Sequence, residues 1–174
     1  MRHITIIPFV LAAAVASHAF ADDEPKRSPE LQVLNRFVGT WDLDVMLTPS
    51  EGDATTEKTS EVRKWSLGGN FVHFQNPRTG SDNAPEFHML VTYDARTKSY
   101  PGILTTGADR SLVNGTWDEE NKTMTFTGTF SRGGSFDFKN RFLDNGNIKK
   151  SGVIKDASGK TVLKRSDMQV RRKK

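Results

Sequence analysis

Cysteine is absent from the 174 residues. This excludes disulfides, thiolate catalysis, iron–sulfur clusters, cysteine-ligated zinc and any lipid anchor built on an N-terminal cysteine, so stability has to come from packing. Histidine is scarce. Only His73 and His88 lie beyond the N-terminal segment, too few for a metal site that needs three or four convergent ligands. Charge of one sign is not in surplus either: a net +4 is too mild to imply a nucleic-acid partner. Also missing are a Gly-x-Ser-x-Gly elbow, a phosphate-binding loop and a dinucleotide fingerprint. The acidic residues fall mainly in turns or on outward positions, so no acid–base or nucleophile–base pair is legible and catalysis is not expected. No cofactor or metal is expected.

Long apolar runs are missing with one exception, Ile4 to Ala16. It follows the basic start Met1-Arg2-His3, precedes small residues at His18-Ala19-Phe20-Ala21, and is shorter than the ~20 residues of a membrane span. Residues 1–21 therefore read as a signal peptide cleaved after Ala21, and the destination as periplasmic or secreted. Export without cysteine fits a bacterial envelope. Residues 22–27 read as a charged leader and 28–174 as one domain, long enough to bury about 70% of the surface of its unfolded chain. The basic end Arg171-Arg172-Lys173-Lys174 is a candidate contact for an anionic surface.

What is present is mostly alternation. Ser28-Pro29 opens a short helix, with Ser as N-cap and Pro in the first turn, and Leu31, Leu34, Phe37 and Val38 share one face up to Gly39. Trp41, Leu43, Val45 and Leu47 then alternate with Asp42, Asp44, Met46 and Thr48. Similar runs recur over 59–67, 70–75, 87–93, 99–106, 111–117, 123–131, 135–143, 148–155 and 161–170. Turn signals such as Gly68-Gly69, Gly133-Gly134 and Asn145-Gly146 separate them. Ten strands in a meander with one apolar face close most economically into an up-and-down antiparallel barrel.

Hairpin register assigns the faces. Centred on Gly68-Gly69, Trp65 opposes Val72 and Arg63 opposes Phe74; the next hairpin, with His73 facing His88 on the outside, adds Met89 and Tyr93 to the inner face. Arg63 is thereby carried into the barrel, where it needs a partner: Glu61 on the same face, or a ligand carboxylate. Across Gly133-Gly134, Phe130 opposes Phe136, which aligns Met124, Phe126, Phe138 and Phe142 with Asn140 among them. Arg63 and Asn140 are the candidate polar anchors. A two-residue turn at Asn145-Gly146 would point Lys149 inward and Ile148 and Ile154 outward, so a bulge or slipped register is expected there in preference to a buried lysine.

Gly39-Thr40-Trp41, after a short helix and opening the first strand, resembles the Gly-x-Trp signature of lipocalins and the wider calycin group. With Gly68-Gly69-Asn70-Phe71, Tyr93-Asp94 and the basic end of the last strand, the chain is similar to a family of bacterial secreted calycin-like barrels without an assigned function. Leu104-Thr105-Thr106 departs from that pattern. The resemblance implies a barrel that binds small apolar molecules, with the signature Trp41 closing one end and Arg171 or Arg172 packed over it. The expected function is binding of a small hydrophobic or amphipathic ligand in a cavity lined by Trp41, Arg63, Trp65, Phe74, Met89, Tyr93, Phe126, Phe138 and Asn140. The alternative is an envelope interaction module whose phenylalanines fill the barrel.

Overall fold

The structure is a computed structural model that describes residues 27–76, 86–107 and 109–173; the signal peptide expected over residues 1–21 lies outside them. A one-turn helix α1 (Pro29–Gln32) tightens into a 3-10 turn (Val33–Arg36). Ten strands follow: β1 (Gly39–Pro49), β2 (Thr55–Ser66), β3 (Phe71–Asn76), β4 (Phe87–Val91), β5 (Tyr100–Thr106), β6 (Asp109–Asp118), β7 (Thr123–Phe130), β8 (Ser135–Phe142), β9 (Ile148–Lys155) and β10 (Val162–Arg172). Each pairs antiparallel with its sequence neighbour, and β10 returns to β1, so the barrel is closed. Closure removes the open edges that a ten-strand sheet would otherwise expose.

The helix starts as its sequence dictates, with Ser28 Oγ accepting from the Leu31 backbone N–H. It is shorter than the apolar spacing suggests. Phe37 has left the helix because its carbonyl accepts the indole N–H of Trp41 at 2.7 Å, and Gly39 opens β1 where a helix C-cap was expected. Leu34 and Phe37 are nevertheless fully buried.

Register follows expectation at the first hairpin, where Trp65 opposes Val72 and Arg63 opposes Phe74. Two later hairpins are displaced by two residues and keep their faces. His73 opposes Leu90 while His88 opposes Gln75. Phe136 opposes Gly128, because Phe130 closes a tighter loop by donating to the Gly134 carbonyl at 3.0 Å. After Phe142 the displacement is odd. Leu143 N–H donates to the Asn147 carbonyl at 2.9 Å, closing a loop one residue longer than the two-residue turn. Phe142 therefore opposes Ile148, and Asn140 opposes Lys150. An odd shift exchanges the two faces of the following strand. Lys149 accordingly points out, Ile148 is buried, and a lysine does enter the barrel, at position 150.

Small inward residues make room for large ones. A Cβ at Gly152 would overlap the Phe138 ring, and one at Gly128 would crowd Phe136 and Ser111. These glycines let the phenylalanines lie flat against the wall instead of meeting at the axis.

Candidate functional site

One end of the barrel is plugged. Leu34, Phe37 and Trp41 are fully buried there, and the Phe37 ring packs on Phe74, Phe126 and Phe142 at centroid distances of 5.3, 5.9 and 4.8 Å. The Arg172 guanidinium lies 4.4 Å over Trp41 and donates to the Val38 carbonyl at 2.6 Å. Gly39, at φ +143°, sits so close to Arg172 that a Cβ there would strike the guanidinium. Glycine is thus needed both for the backbone conformation and for the clearance. Further ties bind the plug to the wall: Trp65 Nε1 donates to Asn35 Oδ1 at 2.7 Å, and Tyr100 Oη donates to the Glu30 carbonyl at 2.9 Å. Burial first, then the neighbouring Tyr93, push the Tyr100 hydroxyl up to about 12.

Beyond the plug the barrel is not full. A cavity of about 670 Å³ remains, within the range of small-molecule sites. Its wall is mainly apolar, with Leu43, Val45, Met89, Leu104, Phe126 and Phe136 among its residues. Set into that wall are Glu61, Arg63, Asn140, Lys150 and Ser166, all on inward positions. Glu57, Lys58 and Lys164 line the part nearest solvent.

Arg63 is 2% exposed, and its partner is Glu61: Nε and Nη2 approach Oε2 at 2.8 and 2.6 Å. Its guanidinium also lies 5.1 Å from the Trp41 ring, 5.3 Å from Phe74 and 5.7 Å from Phe37. Burial alone would raise the Glu61 carboxyl, but the charges of Arg63 and then Lys150 outweigh it and hold Glu61 below the ordinary range. Asn140 Nδ2 donates to the Met124 carbonyl at 3.2 Å. Arg63 Nη1 and Ser166 Oγ are buried without a hydrogen-bond partner. Lys150 is half-buried, with its Nζ 5.0 Å over the Phe138 ring. Burial first lowers its ammonium from the usual lysine range; Glu61 opposes this and Arg63 adds to it.

Six of the nine expected cavity residues line this space: Arg63, Phe74, Met89, Phe126, Phe138 and Asn140. Trp41, Trp65 and Tyr93 do not. All three were expected inside by parity, but the first two are covered by the plug, and Tyr93 lies past the end of β4, its ring tilted against Tyr100 at a centroid distance of 5.1 Å. Lys150 and Ser166 escaped the sequence reading. The signal for Lys150 was the shared parity of Ile148, Gly152 and Ile154, which a two-residue turn at Asn145-Gly146 contradicted.

The histidines meet on the outer face by a diagonal route. Their rings stack at 5.2 Å, with His73 Nε2 and His88 Nδ1 3.0 Å apart and His88 Nε2 on Glu86 at 2.9 Å. No group of three or more metal-ligating side chains converges among the described residues. In the basic tail Arg171 pairs with Asp44 at 2.6 Å and Arg172 covers Trp41, so two of the four cations are engaged within the fold. Lys174 lies outside the described residues. No described helix is long and apolar enough to cross a membrane.

Residues 26–143 match the family described as Protein of unknown function (DUF1579), and the chain belongs to that family. Two solved structures share the fold. One is Rv2717c from M. tuberculosis, with a TM-score of 0.64 and 14% identity over 84% of this chain and 99% of that one. The other is the S-type phycobiliprotein lyase CPES from Guillardia theta, with a TM-score of 0.61 and 13% identity over 89% and 98%. No curated protein matches the chain.

Proposed function

We propose that this DUF1579 barrel is a secreted or periplasmic binding protein for a small hydrophobic or amphipathic molecule. The observation that carries the reading is the 670 Å³ cavity, apolar along its wall and polar where Arg63, Asn140 and Lys150 enter it. An apolar body is favoured by release of water from such a wall. A polar end is favoured where buried donors await a partner. The filled-barrel alternative loses its support, since Phe126, Phe130, Phe136 and Phe138 line the cavity instead of closing it. The likeness in fold to a phycobiliprotein lyase is compatible with a working interior and leaves its content open. The calycin reading of Gly39-Thr40-Trp41 is supported by the stacking of Arg172 on Trp41.

The test is native mass spectrometry of the mature protein taken from its own periplasm, beside the same sample after denaturation and refolding. A stoichiometric mass excess that refolding removes is the expected result. No excess, with thermal stability unmoved by fatty acids, haem or isoprenoids, overturns it. N-terminal sequencing of the same preparation checks export, with Asp22 expected as the first residue.

A further inference from the structure

We propose that the ligand's polar end is anionic and that Lys150, in place of Arg63, is the residue that receives it. The proposal rests on the binding reading above and gives that ligand its chemical class, an amphipathic anion such as a long-chain carboxylate.

Three ionisable side chains enter the deep part of the barrel, and their pairing is unequal. Arg63 spends its charge on Glu61 and its faces on Trp41, Phe74 and Phe37. Lys150, on the inner face beside Asn140, makes no hydrogen bond or ion pair with any described residue; its close contact is the Phe138 ring. One carboxylate therefore stands against two cations. The imbalance persists over the whole cavity lining, where Glu57 and Glu61 face Lys58, Arg63, Lys150 and Lys164. A cation enclosed by apolar wall is unfavourable unless compensated. Glu61, held by Arg63, offsets it only from a distance, and an entering carboxylate would supply the direct partner that Lys150 lacks. Arg63 Nη1 and Ser166 Oγ, on side chains that line the same cavity, are likewise buried without a hydrogen-bond partner. Burial disfavours the Lys150 ammonium, and an anion beside it would favour the charged form again.

A lysine kept for a ligand should cost the empty protein stability, whereas a structural lysine should support it. This separates the two roles. The experiment uses delipidated mature protein, with the fluorescent polyene cis-parinaric acid and its uncharged methyl ester as probes. Wild type is expected to bind the acid at least tenfold more tightly than the ester. Lys150→Met should lose that preference, bind the ester as wild type does, and melt at a higher temperature without ligand. Lys150→Arg should keep the preference. Equal binding of acid and ester by wild type, an undiminished preference in Lys150→Met, or a lower melting temperature of empty Lys150→Met would each overturn the assignment and leave the cavity reading standing. Binding of neither probe by wild type defeats both.

Discussion

The two halves of the barrel treat polar groups in opposite ways. At the plug, Trp41, Trp65 and Tyr100 each pack a large ring and place its polar atom on a partner at 2.7 to 2.9 Å, and Arg172 covers Trp41 from outside while donating to the Val38 carbonyl at 2.6 Å. In the cavity, Lys150 has a ring for a neighbour, and Arg63 Nη1 and Ser166 Oγ have no partner. Buried polar groups are nearly always satisfied in native proteins. Among the described residues, the unmet buried atoms all belong to side chains that line the space large enough for a small molecule, with Arg63 at its border with the plug, and this marks the part of the fold left open to chemistry.

The sharpest way to break the comparison is to empty the plug. Trp41→Ala removes a fully buried indole, its bond to Phe37 and the surface on which Arg172 and Arg63 lie. The expected loss is about 3–5 kcal/mol, read by urea denaturation. A loss below about 1 kcal/mol would mean that the plug is not the stable half.

Next comes Glu61→Gln, which leaves Arg63 and Lys150 facing each other without a carboxylate. Removing one member of a buried pair costs about 3 kcal/mol or more. The pH dependence follows from the sign of the shift. The Glu61 carboxyl titrates below its ordinary 4.5 in the folded chain, so its contribution is complete above 4.5 and disappears as pH falls through the depressed value. Wild type should lose stability over that acid range, and Glu61→Gln should show a flatter acid limb. Parallel acid limbs would remove Glu61 as the group responsible.

How much of this was legible beforehand depends on which physical rule set each register. The first hairpin was readable because Gly68-Gly69 sits at the turn, and Arg63 beside Glu61 followed from it. The inner phenylalanines of β7 and β8 survived an error of two residues, since a shift of two preserves the side-chain period. Lys150 was not readable by the same route. Asn145-Gly146 has the composition of a two-residue turn, yet the chain closes from Leu143 to Asn147, and that one residue turned a strand over. Trp41 and Trp65 stay out of the cavity for another reason: parity says which face a side chain takes, not which end of the barrel a short helix will cover, while Tyr93 lies beyond the end of β4. Ser166 has no local signature, because its significance is a missing partner.

Glycine sharpens the boundary between wall and cavity. Gly152→Ala places a methyl group where the Phe138 ring lies, so the ring must turn toward the axis. Such overpacking costs about 1–3 kcal/mol, and because Phe138 lines the cavity the same change should weaken ligand binding. Unchanged stability would indicate a wall that yields more easily than the flat packing of Phe138 implies.

The smallest expected effect has the opposite sign and bears most directly on the difference between the halves. Ser166 Oγ is buried and unpartnered, so removing it by Ser166→Ala takes away a desolvated hydroxyl that returns no hydrogen bond. The empty protein should be unchanged or stabilised by up to about 1 kcal/mol. With ligand present the order should reverse, because wild type alone can then satisfy the hydroxyl, and Ser166→Ala should gain less in melting temperature on loading. A loss of stability in the empty protein would mean that the hydroxyl already has a partner, which would place Ser166 with the plug residues in kind. A reversal on loading would make the unmet group a property of the empty state, as the unpaired charge of Lys150 is proposed to be.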